Sequence, residues 1–230
     1  MAPPDRAAVQ KDWRLLAQAS PHLREDRDLV AACVEQSWGW ALAQAAESLR
    51  ADRELVLAAV RADGLTLEFA SSELRSDRDL VLAAVAQNGW ALEFASQELR
   101  GDHEVVIKAA LQSCGLALAL AAKEALGDRC FWLEAIRHFR RGWRALEFLP
   151  DALRDDRPLL VEAVRRDWRA LQFASEALKR DRGLVKEAVR QNWEAMVYAS
   201  QEVQEDYSLL QETSRPPKDG QGAASGRPTR

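Results

Sequence analysis

The feature that most constrains this chain is that it repeats itself. Asp52-Arg53-Glu54-Leu55-Val56-Leu57-Ala58-Ala59-Val60 returns as Asp77-Arg78-Asp79-Leu80-Val81-Leu82-Ala83-Ala84-Val85, 25 residues later. Leu67-Glu68-Phe69-Ala70-Ser71 returns at the same distance as Leu92-Glu93-Phe94-Ala95-Ser96. A short fixed period means stacked units that touch mainly their neighbours, so the 230 residues form one elongated array rather than one or two ordinary domains. Counted from the Asp, units begin at Asp26, Asp52, Asp77, Asp102, Asp128, Asp156 and Asp181, and a fragment begins at Asp206. A truncated unit precedes them, because Trp13-Arg14-Leu15-Leu16 and Ala19-Ser20 match Trp168-Arg169-Ala170-Leu171 and Ala174-Ser175.

Within a unit, apolar residues fall three, four, seven and eight places after the Asp: Leu55, Val56, Ala59 and Val60, or Leu159, Leu160, Ala163 and Val164. That is one face of a 3.6-residue helix. The Asp is placed to accept hydrogen bonds from the free N–H groups of the first turn. Gly39, Gly64, Gly89 and Gly115 are expected to stop this helix in the left-handed conformation. A second helix then carries Leu67, Ala70 and Leu74, or Leu171, Ala174 and Leu178, with Phe69 or Phe173 on its flank. The predicted fold is all-α, a right-handed α-solenoid of about eight short helical hairpins, each too small to hold a core before it stacks. The predicted divisions are a truncated capping repeat at 1–25, seven hairpin repeats at 26–205, a capping helix at 206–213 and a disordered tail at 214–230, which has nothing apolar to bury.

At 47% hydrophobic and 30% charged the chain reads as globular, and a net charge of −4 is too small to imply a partner class. Cys33, Cys114 and Cys130 are odd in number and have neither metal nor redox spacing, while Cys33 takes a position held by Ala59 and Ala84 in other units. No apolar signal region follows Met1-Ala2-Pro3-Pro4, and the longest apolar run, Cys114 to Ala122, is far short of the ~20 residues that span a bilayer. These features predict a soluble protein of the cytoplasm, or of the nucleus, that is not secreted and does not engage membranes.

The unit pattern Asp-Arg-x-Leu-Val-x-Ala-Ala-Val followed by Asn-Gly-x-Ala-Leu-x-Phe-Ala-Ser-x-x-Leu-Arg resembles the repeats of the family called domain of unknown function 4116. The likeness runs from Trp13 to Leu210 and is strongest in the Asp52 and Asp77 units. It weakens in the Asp128 unit, where Phe131-Trp132 and an insertion around His138 to Gly142 interrupt the pattern. The resemblance implies a helical repeat and lends no activity, cofactor or catalytic residue.

The residues themselves carry no catalytic signature. His22, His103 and His138 lack metal-ligand companions, and no phosphate loop, nucleophile elbow or paired-carboxylate motif is present. The expectation is a non-catalytic, monomeric scaffold without cofactor or metal that binds a protein partner. The alternative is RNA or single-stranded DNA. Candidate contacts come from one variable position, which reads Gly39, Gly64, Gly89, Gly115 and then Trp143, Trp168, Trp193. After each Gly the next residue is apolar (Trp40, Leu65, Trp90, Leu116), and after each Trp it is charged (Arg144, Arg169, Glu194). Either the apolar residue plugs the core at the turn, or the three tryptophans form an exposed row that anchors a partner. Residues 26–136 hold 10 Lys/Arg against 18 Asp/Glu, whereas 137–190 hold 14 against 9, and Arg140, Arg141, Arg144, Arg165, Arg166 and Arg169 interleave with the Trp row. Basic groups among aromatic rings are what unpaired nucleic acid needs. The Arg that follows the Asp in most units opposes the helix dipole, which points to a pairing role between units.

Overall fold

The structure is a computed structural model that describes residues 3–138 and 142–205. The expected capping helix 206–213, the tail 214–230, Arg140 and Arg141 lie outside the described residues. All regular structure among the described residues is helical, in short tandem segments. Each unit opens with a ten-residue α-helix, as in Arg53–Ala62, Arg78–Gln87 and Arg157–Arg166. The cap Asp starts it as expected: Asp77 Oδ1 accepts from the Leu80 N–H at 3.1 Å, and Asp102 Oδ1 from Val105 at 3.0 Å. Ahead of the Asp26 unit, Asp5 caps a helix of only six residues, Arg6–Lys11, so the leading unit has the same plan with a shortened first helix.

The return limb is not one helix. It is a 3-10 helix such as Gly64–Phe69 or Trp168–Phe173, then an extended alanine, then a third short segment such as Leu74–Ser76 or Glu176–Lys179. Ala70 has φ −67° and ψ 153°, and Ala174 has −66° and 152°. The break has a tertiary cause. It turns the next N–H out of the helix and onto a carbonyl of the preceding unit: Ser71 to Arg50 O at 3.0 Å, Ser96 to Arg75 O at 3.0 Å, Ala122 to Arg100 O at 2.8 Å and Ser175 to Arg154 O at 2.8 Å. A continuous helix would spend that donor inside its own unit.

The glycines also differ from expectation. Only Gly39 and Gly115 are left-handed, at φ +92° and +95°, and each follows a second left-handed residue, Trp38 or Cys114. These two units are 26 residues long. Their extra residue is taken up in a left-handed pair closed by Gly39 N–H to Val34 O at 2.8 Å and Gly115 N–H to Ala110 O at 2.7 Å, the six-to-one bond of a helix stop. Where the unit is 25 residues long, the helix instead ends at extended Asp63 or Asn88, whose side chain caps the 3-10 helix that follows. Gly64 and Gly89 are there for closeness. A Cβ on them would lie 2.4 Å from Ala84 O and 2.3 Å from Ala109 O, the backbone of the next unit.

Stacking merges the apolar faces into one continuous core that runs from Val9 to Val203. Leu55, Val56, Ala59 and Val60 of one first helix meet the equivalent face of the next, with Leu67 and Leu92 from the 3-10 helices between them. Cys33 is fully buried, as expected for a small core residue, and burial pushes its thiol pKa up.

The Arg that follows the cap Asp forms the expected ladder between units at Arg27, Arg53, Arg78, Arg129 and Arg157. Arg27 Nε donates to Asp52 at 2.7 Å, Arg53 to Asp77 at 2.7 Å, Arg78 to Asp102 at 3.1 Å, Arg129 to Asp156 at 2.5 Å and Arg157 to Asp181 at 2.5 Å. Each Asp therefore holds its own helix with one oxygen and the preceding unit with the other. His103 stands where the Arg would be, 3.4 Å from Asp128. The hydrogen bonds from Arg27, Arg53 and Arg157 are the main reason that Asp52, Asp77 and Asp181 titrate below the usual carboxylate range. At Asp102 and Asp156 partial burial pushes the other way, and the Arg78 and Arg129 hydrogen bonds together with the first-turn N–H groups outweigh it.

A depressed folded-state pKa means that the unfolded chain binds protons first. The ladder's contribution is therefore complete above the ordinary Asp value of about 4 and is lost as pH falls through the depressed values. The urea midpoint followed by circular dichroism is expected to hold from neutral pH down to about 5 and to fall steeply below about 4, with Asp77→Asn flattening part of that fall.

Candidate functional site

The first helix of a unit runs from the cap Asp to the turn, and the return limb brings the chain back. The solenoid therefore has two edges, a cap edge carrying the Asp–Arg ladder and a turn edge carrying the variable Gly/Trp position. Glutamines brace the turn edge. Gln87 gives a donor to Ala62 O at 3.4 Å and accepts from Gly64 N–H at 3.2 Å, and Gln112 does the same for Gln87 O at 3.1 Å and Gly89 N–H at 2.6 Å.

The three expected exposed rings do not form a row. Trp143 and Trp168 are half-buried against the core, and only Trp193 is open, at 75% exposure. The reason is a stack between units. Trp143 lies over Phe173 of the next unit, ring centroids 6.5 Å apart, and Trp168 over Tyr198 at 6.0 Å. Guanidinium groups occupy the remaining space: Arg144 sits 5.4 Å from the Trp143 ring, and Arg169 sits 4.6 Å from Trp168 and 6.0 Å from Trp143. Arg165 reaches Glu187 at 3.6 Å, while Arg166 reaches Glu162 at 3.3 Å and donates to Arg137 O at 3.0 Å. Arg165 and Arg166 are thus engaged in surface contacts within the chain, and Arg144 and Arg169 line the turn edge.

Apart from Trp193 and Val197, the exposed large apolar side chains among the described residues lie in the other half. Along the turn edge of the Asp26 to Asp102 units, Trp38 is 72% exposed, Trp90 44%, Leu111 45% and Leu116 54%, with Trp40 also open. Trp40 is held by an edge contact to Phe69 at 5.6 Å and by its indole N–H to Asp63 at 3.2 Å. The sequence marked Trp40, Leu65, Trp90 and Leu116 as a column but left open that they plug the core. Trp40, Trp90 and Leu116 do not plug it, since all three are open, whereas Leu65 is partly covered. Leu111 had a signal of its own: it is apolar at a position that is Glu35, Arg61 and Arg165 in other units.

Among the described residues no group of three or more His, Cys, Asp or Glu could hold a metal ion, and no helix is long and apolar enough to cross a membrane. No curated protein matches the chain, and no solved structure does. The profile of one family matches five stretches, residues 32–75, 52–100, 77–126, 128–179 and 156–204, each covering about two units. Those stretches span most of the array described above, and the chain belongs to that family, Domain of unknown function (DUF4116).

Proposed function

We propose that the protein is a non-catalytic helical-repeat scaffold that captures a protein partner along its turn edge. The observation that carries this reading is the column Trp40, Trp90 and Leu116 with Trp38 and Leu111 beside it: large apolar side chains left open in three of the four units from Asp26 to Asp102, with Leu65 of the Asp52 unit partly exposed between them. Contiguous exposed apolar surface on a globular chain marks an interaction site, and Trp is among the strongest anchors at interfaces. The column continues into Arg144 and Arg169. The fitting partner is a segment with aromatic or aliphatic anchors followed by acidic residues. The nucleic-acid alternative draws less support, because base stacking needs open ring faces, and Trp143 and Trp168 spend theirs on Phe173, Tyr198 and the arginines.

Panning a random peptide library against the full chain tests this. Enriched peptides are expected to combine apolar anchors with Asp or Glu, to bind in moderate salt, and to lose about tenfold in affinity against Trp90→Ser with Leu116→Ser. Peptides that bind this variant as well as wild type overturn the assignment. So does tighter binding of a mixed-sequence single-stranded oligonucleotide that collapses with salt.

A further inference from the structure

On the opposite edge, we propose that Arg24, Arg50, Arg75 and Arg100 form a track for an extended acidic peptide that presents one carboxylate to each unit. These four residues occupy one register position, two places before the cap residues Asp26, Asp52, Asp77 and Asp102. Each main-chain carbonyl is fixed by the N–H of the following unit, at 2.9 Å for Arg24 and 2.8 Å for Arg100. Each side chain is half-buried with its Nε covered and without an acceptor. None has an ion-pair or hydrogen-bond partner among the described residues, although Glu47, Glu73 and Glu98 sit on or beside the same short segments.

The contrast with neighbouring positions gives this meaning. Three residues further on, Arg27, Arg53 and Arg78 are all paired to cap aspartates. Further along the same column the position is closed. Leu126 is apolar, Arg154 is tied to Leu149 O at 3.1 Å and Asp151 at 3.3 Å, and Lys179 is tied to Glu176 at 2.9 Å. The free guanidiniums are therefore a bounded patch of four successive units. A covered donor without a partner is costly, and native chains keep few of them. Here it recurs four times in one register. Guanidinium groups held by their buried stems lose little freedom when they meet a carboxylate fork.

Spacing and charge select the ligand. Packed helices stand about 8–10 Å apart, and three residues of extended chain advance about 10 Å. A peptide with a carboxylate at every third position matches this register. Nucleic acid carries a phosphate on each nucleotide, a closer charge spacing than one guanidinium per unit, so it does not match this register.

The test is fluorescence anisotropy with the full chain and a labelled peptide of about 12 residues bearing Glu at every third position between Gly and Ser. Saturable binding at low salt is expected, about tenfold weaker in Arg50→Gln with Arg75→Gln. The thermal midpoint of that variant is expected to stay close to wild type, since Gln keeps the apolar stem and places an amide where the Nε lies, which separates lost binding from lost folding. A peptide of the same composition with its Glu residues contiguous is expected to bind several-fold less tightly. No binding at low salt, equal affinity for the contiguous peptide, undiminished binding in the folded variant, or tighter binding of a single-stranded oligonucleotide each overturns the proposal.

Discussion

Trp132→Ala is expected to cost about 3–5 kcal/mol in urea unfolding, the largest single loss in the chain, because it empties a fully buried indole site. Trp132→Phe is the more informative change. In six other pairs of adjacent units the carbonyl two places before the cap Asp accepts a backbone N–H from the following unit. At the equivalent step the following unit presents Pro150, which has no N–H to give. Pro fits because the position is extended backbone, with φ −58° at Pro150, −60° at Ser175 and −61° at Ala46. The orphaned carbonyl of Leu126 is instead taken by the Trp132 indole N–H at 2.7 Å. Trp132→Phe keeps most of the packing and leaves that carbonyl unpaired, so a loss of about 1–2 kcal/mol is expected. Pro150→Ser restores the backbone donor and is expected to recover much of it, short of the ~0.4–1 kcal/mol that the freer unfolded chain gains. A double-mutant cycle reads this as strong coupling between two residues that the sequence alone shows only as unrelated irregularities.

Gly89→Ala is expected to destabilise by about 2–3 kcal/mol and to lower the thermal midpoint by roughly 5–10 °C. The added methyl group would lie 2.3 Å from Ala109 O, a backbone atom that moves only if two units part. Gly127→Ala is the control. Nothing lies within 4 Å of the point its methyl group would occupy, and it ends a short helix, so no loss is expected. Gly115→Ala falls between them: its nearest neighbour is 3.7 Å away, and its cost, about 1–2 kcal/mol, comes from the left-handed backbone alone.

Gly89 and Gly115 stand at the position where the repeat changes type. At Gly64 and Gly89 units close on one another backbone to backbone, and Trp40, Trp90 and Leu116, which follow Gly39, Gly89 and Gly115, are open to solvent. Trp143 and Trp168 at that position fill the turn themselves and stack on Phe173 and Tyr198. The exposed apolar column and the sealed aromatic stack are thus two outcomes of one choice.

The repeat, the first helix, its Asp cap and its buried face were legible in the sequence, because they depend on contacts within about ten residues and on a periodicity that the chain states many times over. The Arg ladder was legible too, since a cation placed against the helix dipole needs a partner elsewhere. Three features were decided only by stacking. The return limb breaks at Ala70 and its equivalents because a neighbouring carbonyl draws the next N–H away. Gly64 and Gly89 are chosen by the distance to a backbone 20 or more residues on, although locally they look like ordinary helix stops. Trp143 and Trp168 are covered while Trp90 and Leu116 are open, because exposure depends on what the next unit offers at that height. A sequence specifies what each unit contains, and the environment of each side chain is completed by the unit stacked upon it.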